Sequence, residues 1–311
     1  MSNISLVIPY FNEEETLNST FNLIIKQTLL PKEVIFVNSN SNDKSYVFLN
    51  NLITDYNGGI IFKNFDTNLN TPSASKNFGI KNCSSKYIAF MDCDMIFDTN
   101  WLYDQYNFIK NSNFPIVLGQ ALLQGKTLFD SVAIIHTYGY KRARPCIPSS
   151  IVIKEFFDEE KNFFKEFNAL YDQSWINHYI KNGKAVINNK IIIKYKNIEY
   201  ASNPLKLFKK VFYYSLPTFK VYGYFNKSII IILLTVLLVV LDKDNFIYYV
   251  ILYLTLRNIL LPIYKSKSIK FINKINYRFD ILILASIIID SAKVLGIFYG
   301  LFKKKIKHYE R

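Results

Sequence analysis

The chain has 311 residues, half of them hydrophobic, and a formal net charge of +14. That length admits one large domain or two smaller ones, and three scattered cysteines, Cys83, Cys93 and Cys146, exclude a disulfide framework and a zinc spacing. The basic balance asks for an anionic partner; because lysines cluster beside the apolar runs of the C-terminal third, a membrane surface or a phosphorylated substrate is expected, and nucleic acid is not.

ISLVIPY (4–10) is an apolar run stopped by Pro9, the pattern of a buried parallel strand. No basic and apolar leader precedes it, so the N-terminal domain is expected in the cytoplasm. NEEETLNSTFNLIIKQ (12–27) sets Leu17, Phe21, Ile24 and Ile25 at helical spacing, with acids in the first turn where the helix dipole favours them. KEVIFVNS (32–39) predicts a second strand, the polar stretch 38–45 a loop, 46–56 a helix and GGIIFKNF (58–65) a third strand. Pro72 and Ser73 open a further helix, and KYIAFMD (86–92) reads as a fourth strand. Alternating strands and helices predict an α/β domain with a mostly parallel sheet. Ligands of such sheets bind beyond the carboxyl ends of the strands. Here those ends carry Pro9-Tyr10, Asn38-Ser39 and Asp92-Cys93-Asp94.

Further on, 98–110 reads as a helix, and 114–123 and 149–157 as strands. The stretch 161–183 reads as one long amphipathic helix or two, closed by Gly183, and 184–200 as a final strand pair. The loop TYGYKRARP (137–145) has three basic residues, which suit either solvent or a phosphate. His136 and His178 receive no role.

The last third differs in composition. Residues 203–225 mix lysine with aromatics, as an interfacial amphipathic segment does. IIIILLTVLLVVL (229–241) and FIYYVILYLTLRNILLPIY (246–264), separated by a short polar turn, predict a membrane hairpin over 228–264. KSKSIKFINKINYR (265–278) has five basic residues and no acid, which places it on the cytoplasmic side. The apolar segment 280–302 contains Asp290 and Lys293 and is followed by the basic stretch 303–307; it is expected to pack as an interfacial or hairpin-bound helix rather than to span. The expected organisation is a catalytic domain over 1–200, an interfacial segment over 201–227 and a membrane region over 228–311.

The chemistry concentrates at Asp92-x-Asp94. Two carboxylates at a strand end are costly to bury unless paired, and hard Mg²⁺ or Mn²⁺ takes such oxygens, often only one or two from protein. In this setting SLVIPYFNEEETL, EVIFVNSNSNDKS and SASKNFGIKNCSSKYIAFMDCD together resemble family 2 glycosyltransferases over about residues 4 to 190. The resemblance implies the GT-A fold, a nucleotide-diphosphate sugar donor and an inverting transfer that depends on a divalent metal. It implies that Pro9, Tyr10 and Glu13 border the base and ribose, that Asp92 faces the ribose or the metal, and that Asp94 is a metal ligand. LYDQSWINHYIKNG aligns Asp172 with the family's general base, and Tyr171 replaces the usual glutamate neighbour; Glu159 and Glu160 are the alternatives. Asn38 stands where the family usually has an aspartate that reads the base, Lys76 where it has arginine, and Lys194 or Tyr195 near its late histidine.

The implied function is a transferase at the cytoplasmic face of the inner (plasma) membrane. It would act on a lipid-linked or polysaccharide acceptor. Transfer to a polyprenyl phosphate, as in dolichol-phosphate mannose synthase-like enzymes, is the near variant. A non-catalytic GT-A scaffold in a polysaccharide assembly complex is the rival.

Overall fold

The computed structural model describes residues 2–167, 169–195, 201–222 and 227–302. By packing, the chain forms two compact units, one of residues 1–122 and 143–196, the other of 123–142 and 197–311. The division is not linear in sequence, because a short excursion leaves the first unit and returns.

The elements begin with β1 (Ile4–Tyr10), α1 (Glu14–Ile25), β2 (Glu33–Ser39), α2 (Ser45–Thr54), β3 (Ile61–Thr67), α3 (Pro72–Lys81) and β4 (Tyr87–Phe90). Next come β5 (Met95–Ile96), α4 (Trp101–Lys110), β6 (Ile116–Leu122), the excursion helix α5 (Leu128–Thr137), β7 (Arg144–Ile153), α6 (Tyr171–Lys181) and β8 (Ala185–Tyr195). The strands form one sheet ordered β3-β2-β1-β4-β7-β6-β8-β5. The pairings among β3, β2, β1 and β4 are parallel, as is β6 with β8, whereas β7 and β5 run antiparallel to their neighbours. The mostly parallel α/β sheet expected from sequence is therefore present.

β1 and β2 are apolar on both faces because helices cover both. Leu6, Ile8 and Phe36 feed one core, and Val7, Ile35 and Val37 feed the other, as the two-residue repeat of a strand requires. α3 starts where Thr71 accepts the Ala74 N–H, with Pro72 at the first helical position. It lies so close to the sheet that a Cβ at Gly79 would come within 2.5 Å of Val7 Cγ1.

Two expectations are corrected. The helix expected over 161–183 forms only as Tyr171–Lys181. The aromatics before it do not share one helical face. Phe156, Phe157 and Phe164 instead anchor an irregular segment against Trp175, and Asn162 accepts from both Trp175 Nε1 and Tyr179 Oη. The strand pair expected over 184–200 is one strand, β8. Its register on β6 shifts between Leu118 and Gln120, and this irregularity takes up the polar Asn188-Asn189-Lys190. Residues 196–200 lie outside the described chain.

The second unit is helical. After α5 it contains α7 (Pro204–Ser215), α8 (Thr218–Tyr222), α9 (Lys227–Leu241) and α10 (Phe246–Thr255). α10 runs through a π-helical turn (Leu256–Leu260) into α11 (Leu261–Ser266), followed by α12 (Phe271–Lys274) and α13 (Phe279–Phe302). Among the described residues, Lys243–Ser266 and Phe279–Phe302, 24 residues each, are long and apolar enough to cross a membrane, whereas Ile230–Leu241 is shorter. α9 as described has 15 residues and ends at Leu241; residues 223–226 before it lie outside the described chain. The basic stretch 303–307 lies outside the described residues.

α5 and α13 share a core: Val132, Ile135, Leu282, Ala285 and Ile289 pack with Leu207 and Val211 of α7. Gly296 and Gly300 let α7 approach closely, since a Cβ at Gly296 would lie 2.5 Å from Phe212 O and one at Gly300 would strike Leu216 O. One of the charges on α13, Asp290, is paired. Arg257, in the π-helical turn, holds Asp290 with two bonds of 2.6 and 2.9 Å, and Tyr253 Oη adds a third at 2.8 Å. Arg257 Nη1 also donates to His136 Nδ1. Arginine cannot accept, so His136 keeps its proton on Nε2 and donates it to Leu282 O. Burial, and then Arg257, hold His136 neutral well below the usual histidine range.

Candidate active site

The site belongs to the first unit and gathers at the carboxyl ends of β1, β2 and β4. After β4 the chain alternates: Asp92 and Asp94 are half-buried, while Cys93 between them is buried in the core. Cys93 O accepts from Thr20 Oγ1 of α1, which pins the turn. Burial pushes the Cys93 thiol well above its usual range, and Glu13, Asp92 and Asp94 each push it further. Glu13, Asp92 and Asp94 thus all act electrostatically on the turn at Cys93.

Lys76 of α3 is buried, with its ammonium 3.0 Å from Asp92 Oδ1 and 3.3 Å from Tyr171 Oη. Burial opposes the charge, but Asp92 and Tyr171 outweigh it and hold Lys76 protonated above its ordinary range. The side chain of Asp92 keeps 30% exposure, against 2% for Lys76. Lys76 therefore meets Asp92 from beneath, and Asp92 remains open to a ligand. Burial raises the Tyr171 phenol to about 12, so it is a neutral partner.

Asp172 follows Tyr171 in the first turn of α6. Burial lifts its carboxyl above the usual range; the Gln173 N–H and Lys76 oppose this, and Asp92 adds to it. A carboxylate with raised proton affinity near a second acid, Asp92, suits a general base. The alternatives fare differently: the Glu159 side chain is exposed and paired with Lys161 at 2.8 Å, and the Glu160 side chain lies outside the described residues.

Asn38 is buried at the end of β2. Its amide donates to Asp66 Oδ1 at 2.7 Å, and its Oδ1 accepts the Ser41 N–H. Asn38 and Asp66 are register partners on β2 and β3, so an amide at 38 avoids two adjacent carboxylates. Beside it, the Ser39 and Ser75 hydroxyls lie 2.7 Å apart. Pro9 is half-buried at the strand end, whereas the Tyr10 ring turns into the core and its hydroxyl donates to Asn64 at 2.8 Å. Lys194 is exposed on β8, in register with Leu122 and Ile96. In the second unit, Arg142 of the basic loop donates to Lys265 O at 2.9 Å. His178 on α6 contacts Asn182.

Sequence reasoning missed Asp66 and the hydroxyl of Tyr171. Asp66 carried no motif. The signal for Tyr171 was its replacement of an acid beside the base.

As a metal site, the donor set fits a hard cation only in part. Among the described residues no three His, Cys, Asp or Glu side chains group to hold an ion, and Lys76 already engages Asp92. A cation at Asp94 and Asp92 must draw its remaining oxygens from a ligand or water, as Mg²⁺ and Mn²⁺ sites on phosphates do.

Comparison with known proteins bears on the family and the fold. The family model described as Glycosyl transferase family 2 matches residues 5–180. The chain is 29% identical over 196 residues to the poly(ribitol-phosphate) beta-N-acetylglucosaminyltransferase TarP of Staphylococcus aureus (strain N315), covering 59% of each protein. It is 32% identical over 120 residues to the poly(ribitol-phosphate) beta-glucosyltransferase of Bacillus spizizenii, covering 38% of this chain and 19% of that one. The chain thus spans less than two thirds of the length of these relatives. Among solved structures, a mannosyltransferase from Pyrobaculum calidifontis in complex with GDP-Man and Mn²⁺ superposes with a TM-score of 0.58 at 9% identity, covering 97% of this chain and 88% of that one. S. aureus TarS in complex with UDP-GlcNAc gives 0.50 at 14%, covering 94% and 90%. At such identities the likeness establishes a common fold.

Proposed function

The chain belongs to glycosyl transferase family 2, and we propose that it is a membrane-anchored, metal-dependent, inverting glycosyltransferase. It takes a sugar from a nucleotide diphosphate to a hydroxyl of a lipid-linked or polysaccharide acceptor. The observation that carries this reading is the pairing of a half-buried Asp92-x-Asp94 at a strand end with a separate carboxyl, Asp172, of raised proton affinity.

Asp172 accepts the proton of the acceptor hydroxyl as its oxygen attacks the anomeric carbon from the face opposite the leaving group. The sugar–phosphate bond breaks, and its electron pair leaves with the nucleotide diphosphate. Asp94 with Asp92 would hold Mn²⁺ or Mg²⁺, which when bound offsets the charge gathering on that diphosphate. Lys76 neutralises part of the carboxylate charge beneath, so that an anionic donor is tolerated next to Asp92. Pro9, Glu13 and the Asn38–Asp66 pair border the nucleoside.

A hydroxyl acceptor is favoured over a polyprenyl phosphate. An ionised phosphate needs no base, whereas Asp172 is tuned as one. The names of the relatives make a UDP-sugar donor and a polyol-phosphate or polysaccharide chain the first to try. The apolar helices over 243–266 and 279–302 support anchoring, with the basic 265–278 between them on the cytoplasmic face.

The test is nucleotide release from UDP-, GDP- and dTDP-sugars with Mn²⁺ by the detergent-solubilised chain, with and without membrane lipid extract. Release from one donor, abolished by Asp94→Ala and by EDTA, is the expected result. No release from any donor with the extract present would favour a scaffold.

A further inference from the structure

One face of α3 grips the segment that leads to the base. Ser73 Oγ donates to Phe167 O at 3.1 Å. Asn77 exchanges two bonds with the main chain of Phe164, at 2.8 and 3.0 Å. Lys76 reaches Tyr171 Oη. Residues 73, 76 and 77 are spaced i, i+3, i+4 and so share a face, and all three are buried. Residues 163–167 and 169–170 form no helix or strand; the stretch leads to α6. It ends at Leu170, whose φ of +64° is left-handed and costs a β-carbon residue on the order of 1–2 kcal/mol. Such a conformation persists only where its surroundings over-determine it, and Asp172 follows two residues later.

Lys76 is the shared member. One buried ammonium bonds Asp92 on the donor side and Tyr171 on the acceptor side. A neutral phenol at 171 accepts from it without taking its charge. A carboxylate there would compete with Asp92 for the same cation.

We propose that Tyr171 is a positioning residue that, through Lys76 and the Ser73/Asn77 face of α3, fixes the base Asp172 at one spacing from the donor-side Asp92. The proposal rests on the glycosyltransferase reading of the site.

Its test uses the full chain in detergent. Tyr171→Phe is expected to lower kcat for UDP release from UDP-GlcNAc about tenfold, while the Kd of UDP with Mn²⁺ stays within about twofold, as loss of orientation without loss of binding should. Tyr171→Glu is expected to weaken UDP binding, because it draws Lys76 from Asp92. Melting temperatures of Tyr171→Phe, Asp92→Asn and the double variant should be non-additive by about 2–4 °C. Additive melting shifts overturn the proposal whether or not a donor turns over. So does an unchanged kcat in Tyr171→Phe, or a fall in affinity as large as the fall in kcat. Asp172→Asn separates the two failures: if it retains wild-type turnover, the assignment of the base is wrong. If it is inactive while Tyr171→Phe is not, only the positioning role falls.

Discussion

The two units bury charge in opposite ways. In the helical unit, Arg257 and Asp290 are 1% and 4% exposed and bond each other, Tyr253 and His136. In the sheet unit, Lys76 is as deeply buried, but its partner Asp92 stays partly open and Asp94 beside it is half-buried. A closed network has nothing left for a ligand, and it specifies how helices meet. An open one leaves a charged side chain within reach of solvent, as the 30% exposure of Asp92 shows. The difference locates chemistry better than the count of charges does, since both clusters have two or more.

The comparison is broken or sharpened most strongly at the base. Asp172→Asn should lower sugar-nucleotide turnover by about 10²- to 10⁴-fold with UDP affinity nearly unchanged, read by released nucleotide against a binding titration. In the closed cluster, Asp290→Ala should destabilise the helical unit by about 3–5 kcal/mol, because it strands a buried guanidinium, whereas Arg257→Met with Asp290→Leu should restore most of the loss. Denaturant titration in micelles reads both. Asp92→Asn, by contrast, should cost well under half as much stability, since an open carboxylate shares its load with water.

Glu33 gives an intermediate case within the sheet unit. Burial works against its charge, but Lys63, Ser5 and Ser84 bond the carboxylate and hold it down at about 2. Its folded value lies below its unfolded one, so the stabilisation is complete above about pH 4.5 and is lost as pH falls from there towards 2, about 3 kcal/mol in all. Glu33→Gln should flatten the fall in melting temperature between pH 6 and pH 3. The smallest effect is expected from Tyr10→Phe, which removes one buried bond to Asn64 and should cost about 1 kcal/mol. UDP affinity should not move if the ring serves the core.

Much of this was legible in the sequence. The double-sided apolar runs of β1, β2 and β4, the Pro72 helix start and Asp92-x-Asp94 are local signals, and each lies where its spacing put it. What was not legible depends on contacts distant in sequence. Lys76 reads in sequence as a stand-in for the family's arginine, and nothing near it tells that Asp92 and Tyr171 close over it. Asn38 reads in sequence only as a departure from the family's aspartate, and nothing near it tells that Asp66, supplied by the neighbouring strand, stands beside it. The aromatics Phe163, Phe164 and Phe167 mimicked a helical repeat because loop anchors and helix faces draw on the same residue types.

The excursion between β6 and β7 has a consequence for how the protein is made. α5 leaves the ribosome early, yet the side chains that cover Val132 and Ile135 are on α7 and α13, at the far end of the chain. At ordinary elongation rates that interval is on the order of ten seconds or more, during which an apolar helix stands uncovered beside a sheet that can already fold. A fragment cut near residue 200 makes the interval permanent. Recombinant work on the sheet unit alone will therefore meet aggregation that starts at α5, and replacing Val132 and Ile135 with polar residues, rather than improving the sheet, is the repair to attempt.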